Sequence, residues 1–201
     1  MGVSAYQALL ATLKTRLMDK WLILDRDGVI NYDSDEFIKS PDEWHPLPGS
    51  LEAIAALNAL AYRIVVISNQ SGLARGLFGL DSLHAIHHKF QTLLKQKGGQ
   101  VEHIYFCPHG PDDHCACRKP LPGLFNQFAK EFNVNLDGTY SVGDSVRDLE
   151  AARDSGAVCV LVRTGKGKQS EQSLHALPEN DPLHHVPVYN DLASFANHLL
   201  T

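Results

Sequence analysis

The sequence has no long hydrophobic run, no excess of basic residues and only four cysteines. No apolar stretch approaches the roughly 20 residues that a membrane-spanning helix requires. Lys14 and Arg16 interrupt the apolar residues near the N-terminus, so we expect neither a signal peptide nor a transmembrane helix, and we expect a cytoplasmic location. The formal net charge of -5 argues against a nucleic-acid-binding protein, which usually carries a basic surface.

The chain also lacks internal repeats, low-complexity segments and room for two full-sized domains. Its 201 residues suit one α/β domain with a well-buried core. We predict a single domain over residues 19–201, preceded by an amphipathic helical extension at 1–18. We expect a monomer that acts on a small phosphorylated molecule and binds neither nucleic acid nor membrane.

Short apolar runs alternate with segments of helical periodicity after Trp21. This alternation predicts a Rossmann-like α/β fold, in which helices flank a parallel sheet. The predicted strands lie near 21–25, 63–68, 102–106, 139–143 and 158–162. The predicted helices cover 51–60, 82–96, 122–132, 145–154 and about 190–200. Ser50 and Asp81 are candidate N-caps of the first two helices, and the polar stretch 165–188 is predicted to be a surface loop.

Polar side chains follow the predicted strands at the points where the strands end. Ligands of open parallel sheets bind beyond these carboxyl ends, so we expect such side chains to converge there. The candidate residues are Asp25 and Asp27 after the first strand, Ser68 and Asn69 after the second, Lys119 after the third, and Asp144 after the fourth. Each residue alone would be taken for a turn, cap or surface residue. Their order and their positions at strand ends indicate one site.

This set of residues suits phosphoryl transfer to a carboxylate. Asp25 would attack phosphorus and form an aspartyl phosphate, while Asp27 would act as general acid and then as general base. Mg²⁺ would be bound by Asp25, Asp144 and the main-chain carbonyl of Asp27, since this ion prefers oxygen ligands. Lys119 would neutralise phosphate charge and Ser68 would donate a hydrogen bond to it.

Four ordered segments resemble the motifs of the haloacid dehalogenase superfamily of phosphatases. They are 24–30 (LDRDGVI), 68–72 (SNQSG), 118–120 (RKP) and 142–144 (VGD), and the resemblance extends from about residue 20 to 164. The segments 71–76 and 107–120 are similar to those of the heptose-bisphosphate and histidinol phosphatases. Ser145 is a departure, because some members of that group place a lysine after the motif aspartate.

The resemblance is closer to the heptose-bisphosphate phosphatases of ADP-heptose biosynthesis. It implies hydrolysis of the C7 phosphate of D-glycero-D-manno-heptose 1,7-bisphosphate, a step toward the lipopolysaccharide core. Histidinol-phosphate phosphatase is the alternative enzyme, since it shares the same core and nearly the same cysteine-rich loop. A polynucleotide 3′-phosphatase is disfavoured by the acidic charge balance. A non-catalytic zinc-stabilised binding module is disfavoured because all the acids needed for turnover are present.

The cysteine-rich loop predicts a zinc site. In a reducing compartment, clustered cysteines are interpreted first as metal ligands. The pattern C-x-H-x₅-C-x-C suits tetrahedral Zn²⁺ bound by Cys107, His109, Cys115 and Cys117. Four protein ligands leave no open position, so we expect a structural zinc that fixes the loop carrying Lys119. His114 is a rival for the position of the fourth ligand.

No segment is long enough to form the large cap domain found in some members of the superfamily. Residues 31–48 suffice only for a flap. Substrate recognition would then depend on loop residues, with Arg75 and Arg118 as candidates for binding a second phosphate. Lys39 and Trp44 of the flap are weaker candidates.

Overall fold

The computed structural model describes residues 20–201, so the predicted extension at 1–18 lies outside the described residues. Within them, six strands form one sheet: β1 (Lys20–Leu24), β2 (Tyr62–Asn69), β3 (His103–Cys107), β4 (Tyr140–Gly143), β5 (Val158–Val162) and β6 (Val188–Tyr189). Their order across the sheet is β3-β2-β1-β4-β5-β6, and every neighbouring pair is parallel. The predicted Rossmann-like fold is confirmed.

Six α-helices lie in the described part of the chain. They are α1 (Ser50–Ala59), α2 (Leu80–Gln96), α3 (Gly123–Phe132), α4 (Val146–Ser155), α5 (Gly167–His175) and α6 (Leu192–Leu200). The prediction of a loop over 165–188 was wrong, because this stretch contains α5 and ends at β6. Leu174 is the only large apolar side chain that α5 buries, so the sequence carries little helical periodicity there.

The two predicted N-caps were also wrong. Gly49 and Gly79 occupy the N-cap positions of α1 and α2. The Ser50 hydroxyl instead lies 2.6 Å from the carbonyl oxygen of Ile30 and 2.9 Å from that of Leu47. It therefore connects the start of α1 to the segment that follows β1, rather than satisfying helix amides.

Alternating residues of the strands build two apolar layers. Leu22, Leu24 and Val66 face one side of the sheet, where α1, α2 and α6 cover them. Ile23 and Ile67 face the other side, against α3 and α4. Because successive strand side chains point to opposite faces, strands buried on both sides are apolar at nearly every position. This explains why the strands were predictable from continuous apolar runs.

The order of the strands determines where a ligand can bind. β1 pairs with β2 on one side and with β4 on the other, and the chain winds in opposite directions from this point. A crevice therefore forms beyond the carboxyl ends of β1 and β4. In the described residues, the loops at this edge contain no element longer than the three-residue 3₁₀ helix Pro41–Glu43, so a large cap is absent from them.

No helix in the described part of the chain combines the length and apolar character needed to cross a bilayer.

Candidate active site

Three carboxylates meet beyond the ends of β1 and β4. Asp25 directly follows β1, Asp144 directly follows β4, and Asp148 lies in the first turn of α4. Each offers an oxygen, and these oxygens lie within 4.8 Å of one another. All three line a cavity of about 320 Å³, which is also lined by Asp27, Ser68, Asn69 and Lys119. The structure thus brings together the strand-end residues that the sequence indicated.

Two glycines allow the chain to fold closely around Asp144. A Cβ atom at either Gly28 or Gly165 would lie 2.1 Å from Asp144 Oδ2, closer than any real side chain permits. Both residues have positive φ angles, of +82° and +55°, which glycine adopts without strain. The amide of Lys166 donates to the same Oδ2 over 2.8 Å. The carboxylate is therefore held by main chain on several sides.

Lys119 is buried between two of these carboxylates. Its Nζ lies 3.0 Å from Asp25 Oδ1 and 2.6 Å from Asp148 Oδ1, and it donates to the carbonyl oxygen of Ile67 over 2.7 Å. Burial by itself would lower the pKa of Lys119, but Asp148 and Asp25 together raise it above its ordinary value. The lysine is therefore a fixed positive charge at the base of the cavity.

The carboxamide of Asn69 positions Lys119. Its Oδ1 accepts from the amide of Lys119 over 3.1 Å, and its Nδ2 donates to the carbonyl oxygen of Lys119 over 3.0 Å. Both polar atoms of this side chain are thus engaged by the lysine's main chain. Direct binding of phosphate by Asn69 stays a prediction.

The acids beside Lys119 have unequal proton affinities. Burial raises the pKa of Asp25 to about 6, although Lys119 offsets part of this effect. Burial, with the charges of Asp148 and Asp25, raises the pKa of Asp144 to about 8. For Asp148, burial acts in the same direction, but Lys119 and the Ser145 hydroxyl bring its pKa below the usual value. A cation placed among these carboxylates would therefore relieve strong mutual repulsion.

The donor set suits magnesium. Carboxylate oxygens converge at one point, no nitrogen or sulfur ligand of the described residues competes there, and burial together with neighbouring carboxylates raises the pKa values of Asp25 and Asp144. Hard divalent cations prefer such oxygen ligands. Asp25 and Asp144 fit the predicted ligand roles. Asp148 is engaged by Lys119 through Oδ1 and by the Ser145 amide through Oδ2, so it contributes mainly charge.

Asp27 lies in a separate hydrogen-bonded group at the cavity wall. Its Oδ1 accepts from Arg26 Nε over 3.1 Å and from Asn31 Nδ2 over 2.8 Å. Its Oδ2 accepts from Arg26 Nη2 and from Gln70 Nε2, each over 2.9 Å. Burial would raise the pKa of Asp27, but the Arg26 guanidinium and these hydrogen bonds lower it below its ordinary value. Asp27 is thus held as an ionised carboxylate.

Ser68 has a hydroxyl proton available for the cavity. Its side chain is buried, and its Oγ accepts a hydrogen bond from Gln70 Nε2 over 2.8 Å. A hydroxyl that accepts one hydrogen bond can still donate its own proton. Because Ser68 lines the cavity next to Asp25 and Lys119, it is suitably placed to donate to a phosphoryl oxygen.

Four residues of the site escaped the sequence-based prediction. Asp148, Arg26, Gln70 and Asn31 were given no role. Asp148 carried a usable signal, because Ser145-x-x-Asp148 resembles a capping box at the start of a helix. Gln70 carried none, since it is 43 positions from Asp27 and only the folded sheet brings them together. Arg26 and Asn31 are close to Asp27 in sequence, but nothing in the sequence shows that their side chains bind its carboxylate.

The predicted zinc ligands form one cluster. Ligand atoms of Cys107, His109, Cys115 and Cys117 all lie within 4.8 Å of one another, and the four cysteines of the chain are free thiols. The Sγ of Cys117 is 3.2 Å from Cys107 Sγ, 3.5 Å from Cys115 Sγ and 3.2 Å from His109 Nδ1. These separations approach the edges of a tetrahedron around a metal with sulfur ligands at about 2.3 Å. His109 belongs to this cluster and His114 does not.

The cationic residues of the loops also reach the cavity. Arg75 and Arg118 both line it. Arg118 Nη1 donates to the carbonyl oxygen of His109 over 3.2 Å, which connects it to the cysteine cluster. The weaker candidates lie elsewhere: Trp44 is fully buried against Phe90, and the half-buried Lys39 pairs with Glu43.

Comparisons with known proteins agree with this geometry. A family model described as HAD-hydrolase-like matches residues 116–194. The chain is 52% identical over 181 residues to a D-glycero-beta-D-manno-heptose-1,7-bisphosphate 7-phosphatase of Bordetella bronchiseptica. This match covers 90% of this chain and 98% of that protein. The chain is 49% identical over 179 residues to the protein of the same name from Pseudomonas aeruginosa, with 89% and 97% covered.

A solved structure is similar over the same range. The crystal structure of D,D-heptose 1,7-bisphosphate phosphatase from B. bronchiseptica, complexed with magnesium and phosphate, superimposes with a TM-score of 0.84. Its sequence is 52% identical, and the match covers 90% of this chain and 98% of that one.

The parallel sheet, the acids beyond its central strands and these matches define the class: the protein is a phosphatase of the haloacid dehalogenase superfamily. Within this superfamily, the sequence identity and the coverage of the matches show the family. The chain belongs to the D-glycero-beta-D-manno-heptose-1,7-bisphosphate 7-phosphatase family.

Proposed function

We propose that this protein hydrolyses the C7 phosphate of D-glycero-D-manno-heptose 1,7-bisphosphate through an aspartyl phosphate formed on Asp25. The buried Asp25–Lys119–Asp148 chain of ion pairs carries this proposal, because it places a carboxylate and a fixed cation together at the cavity base. The names of the similar relatives support the heptose substrate. None of those relatives is named as a histidinol-phosphate phosphatase, so that alternative is not favoured.

In the first step, an oxygen of Asp25 attacks the phosphorus atom of the C7 phosphate. The bond from phosphorus to the sugar oxygen breaks, and the sugar leaves with a free C7 hydroxyl after gaining a proton. Lys119 neutralises part of the charge on the phosphoryl oxygens, and the Ser68 hydroxyl donates to one of them. Asp25, Asp144 and the main-chain carbonyl of Asp27 would hold magnesium, which would supply the positive charge that lets an anionic carboxylate approach a phosphate.

Asp27 handles the protons of both steps. It gives a proton to the leaving sugar oxygen and later takes one from the water that attacks the phosphorus of the aspartyl phosphate. In that second step the bond from phosphorus to the Asp25 oxygen breaks, which releases inorganic phosphate and restores the Asp25 carboxylate. The second role suits the ionised carboxylate that Arg26, Gln70 and Asn31 hold in the free protein. For the first role, Asp27 must take up a proton before the sugar leaves.

The zinc-binding loop has a structural role in this proposal. Four protein ligands complete a tetrahedral zinc site and leave no position for substrate. The loop follows β3 and continues directly into Arg118 and Lys119. Zinc bound by Cys107, His109, Cys115 and Cys117 would therefore fix the positions of these two cationic side chains.

We further propose that the protein acts as a monomer in the cytoplasm and that Arg75 and Arg118 bind the second phosphate of the substrate.

Phosphate release with Mg²⁺ tests the substrate assignment. The panel is the α- and β-anomers of heptose 1,7-bisphosphate, histidinol phosphate and a 3′-phosphorylated oligonucleotide. We expect kcat/KM for one of the heptose bisphosphates to exceed the values for the other two classes by at least about 100-fold, because two phosphates bind more cationic side chains than one. A preference for histidinol phosphate would contradict the proposal.

A further inference from the structure

Six cationic side chains line the active-site cavity, and three of them have carboxylate partners. Arg26 pairs with Asp27, Lys119 pairs with Asp25 and Asp148, and Lys166 lies 3.5 Å from Asp33 and 3.1 Å from Asp35. The remaining three are Arg75, Arg118 and Arg147. None of these three has a carboxylate within 4.0 Å among the described residues.

Arg147 stands apart from the other two in its structural setting. Arg75 and Arg118 lie on loops, whereas Arg147 is the second residue of α4, three positions after Asp144. Its neighbour Asp148 is fixed through Lys119 and the Ser145 amide. Arg147 is exposed at the cavity, and its side chain makes no hydrogen bond with residues 20–201. Helix α4 thus places at the cavity a guanidinium that has no carboxylate or hydrogen-bond partner among the described residues.

Arg118 is close enough to Arg75 and Arg147 to be repelled by both. Burial lowers the pKa of Arg118, and the charges of Arg147 and Arg75 lower it further. Arg147 also opposes the rise in the pKa of Lys166, which lines the same cavity. Arg147 therefore adds positive charge beside both Arg118 and Lys166. Like charges gathered without counter-ions are costly, and a bound dianion would offset that cost.

The chemistry at phosphorus does not require these arginines. In the proposed mechanism, Lys119, Ser68 and the metal ligands, which line the same cavity, bind the phosphate that is transferred. Guanidinium groups match phosphate oxygens with two parallel hydrogen bonds, so arginines without carboxylate partners at the cavity suit a second phosphate. We propose that Arg147 determines specificity by binding the non-reacting phosphate of the substrate together with Arg75 and Arg118, an inference that rests on the proposed function.

The test compares a bisphosphate with a monophosphate that has the same leaving group. For each protein, kcat/KM is measured for heptose 1,7-bisphosphate and for heptose 7-phosphate, and their ratio is the readout. Arg147→Gln should lower the ratio about 10- to 100-fold, because a hydrogen bond between charged groups contributes about 1.5–3 kcal/mol. Arg147→Lys should retain part of the preference, since it keeps the charge but loses the paired hydrogen bonds.

Arg153→Gln is the matched control. Arg153 lies on the same helix, is exposed and pairs with Asp154 away from the cavity, so its removal should leave the ratio at the wild-type value. In a second measurement, calorimetry gives the affinity of the bisphosphate for the inactive variant Asp25→Asn. Adding Arg147→Gln to that variant should weaken the affinity by a similar factor. A wild-type preference that survives Arg147→Gln would overturn the role of Arg147 alone. A wild-type ratio near one would overturn the second-phosphate site, Arg147 included, whereas failure to release the C7 phosphate from either substrate would overturn the proposed function.

Discussion

Asp25 is distinguished by its surroundings rather than by its type. It follows a buried strand, forms an ion pair with Lys119 and lies within reach of Asp144. Its sequence context, Asp-x-Asp, is common in turns and helix caps. The folded chain supplies what this context lacks, because β1 lies at the centre of the sheet, where the polar ends of β2 and β4 flank it.

Replacing Asp25 by Asn should abolish turnover while the fold is retained. An amide cannot form the aspartyl phosphate, and loss of a nucleophile typically lowers kcat by at least about 10⁴-fold. Acid quenching with labelled substrate should trap a phosphoprotein in the wild type and none in the variant. Asp137→Asn, at an exposed position distant from the cavity, should behave like the wild type. Near-normal turnover by Asp25→Asn would show that the nucleophile is a different residue.

His87 gives the protein a dependence on pH that lies outside the active-site chemistry. It is 8% exposed on α2, with its ring 6.0 Å from that of Phe106. Burial, followed by the charges of Arg26 and His84, lowers its pKa to about 3. An unfolded histidine titrates near about 6.5. Below that pH the unfolded state binds more protons than the folded state, so stability falls as the pH decreases.

We therefore predict that His87→Leu reduces the acid sensitivity of folding. Between pH 7 and pH 5, the wild type should lose about 2 kcal/mol of unfolding free energy through this group, and the variant should not. Urea unfolding at the two pH values measures the difference. His88→Leu replaces an exposed histidine on the same helix and should keep the wild-type dependence. Equal pH dependence in His87→Leu and the wild type would contradict this prediction.

At the scale of elements, strands were easier to predict than the boundaries and contacts of helices. β1, β2 and β5 contain continuous apolar runs because both faces of the sheet are covered. In contrast, α5 was missed because it buries Gly167, Ser170 and Leu174, a set with almost no apolar periodicity. Its Ser170 hydroxyl donates to the carbonyl oxygen of Asp144 over 2.8 Å. This contact supports the site but has no signature in the sequence.

We predict that bound zinc stabilises the loop after β3. Purified protein should contain about one zinc per chain, and Cys117→Ser should lose it. Because zinc binding contributes directly to folding, this variant should also melt at a lower temperature and turn over more slowly through displacement of Lys119. Elemental analysis and a thermal melt provide the two measurements.

Cys159→Ser is the control for the zinc prediction. Cys159 lies in β5, outside the cluster of four ligands, so this variant should keep its zinc. Full activity and wild-type melting of a carefully prepared zinc-free protein would contradict the structural role of the metal.

At the scale of the whole molecule, function follows from the winding of the sheet. The chain reverses direction across the sheet between β3 and β4, which opens a crevice beside β1. The loops above it contain only a short 3₁₀ helix in the described residues, so the cavity can admit a whole sugar. Its lining is polar and rich in both signs of charge, as expected for a phosphorylated substrate held beside acids and a cation.

The regiochemistry of hydrolysis tests the central claim most directly. In proton-coupled ³¹P NMR, the C7 phosphate of the heptose bisphosphate is split by two methylene protons, and the C1 phosphate by the single anomeric proton. With wild-type protein and Mg²⁺, we predict that the C7 triplet disappears, inorganic phosphate accumulates in equal amount and the C1 doublet remains. Loss of the C1 doublet first, or persistence of both signals in the presence of Mg²⁺, would contradict the proposed function.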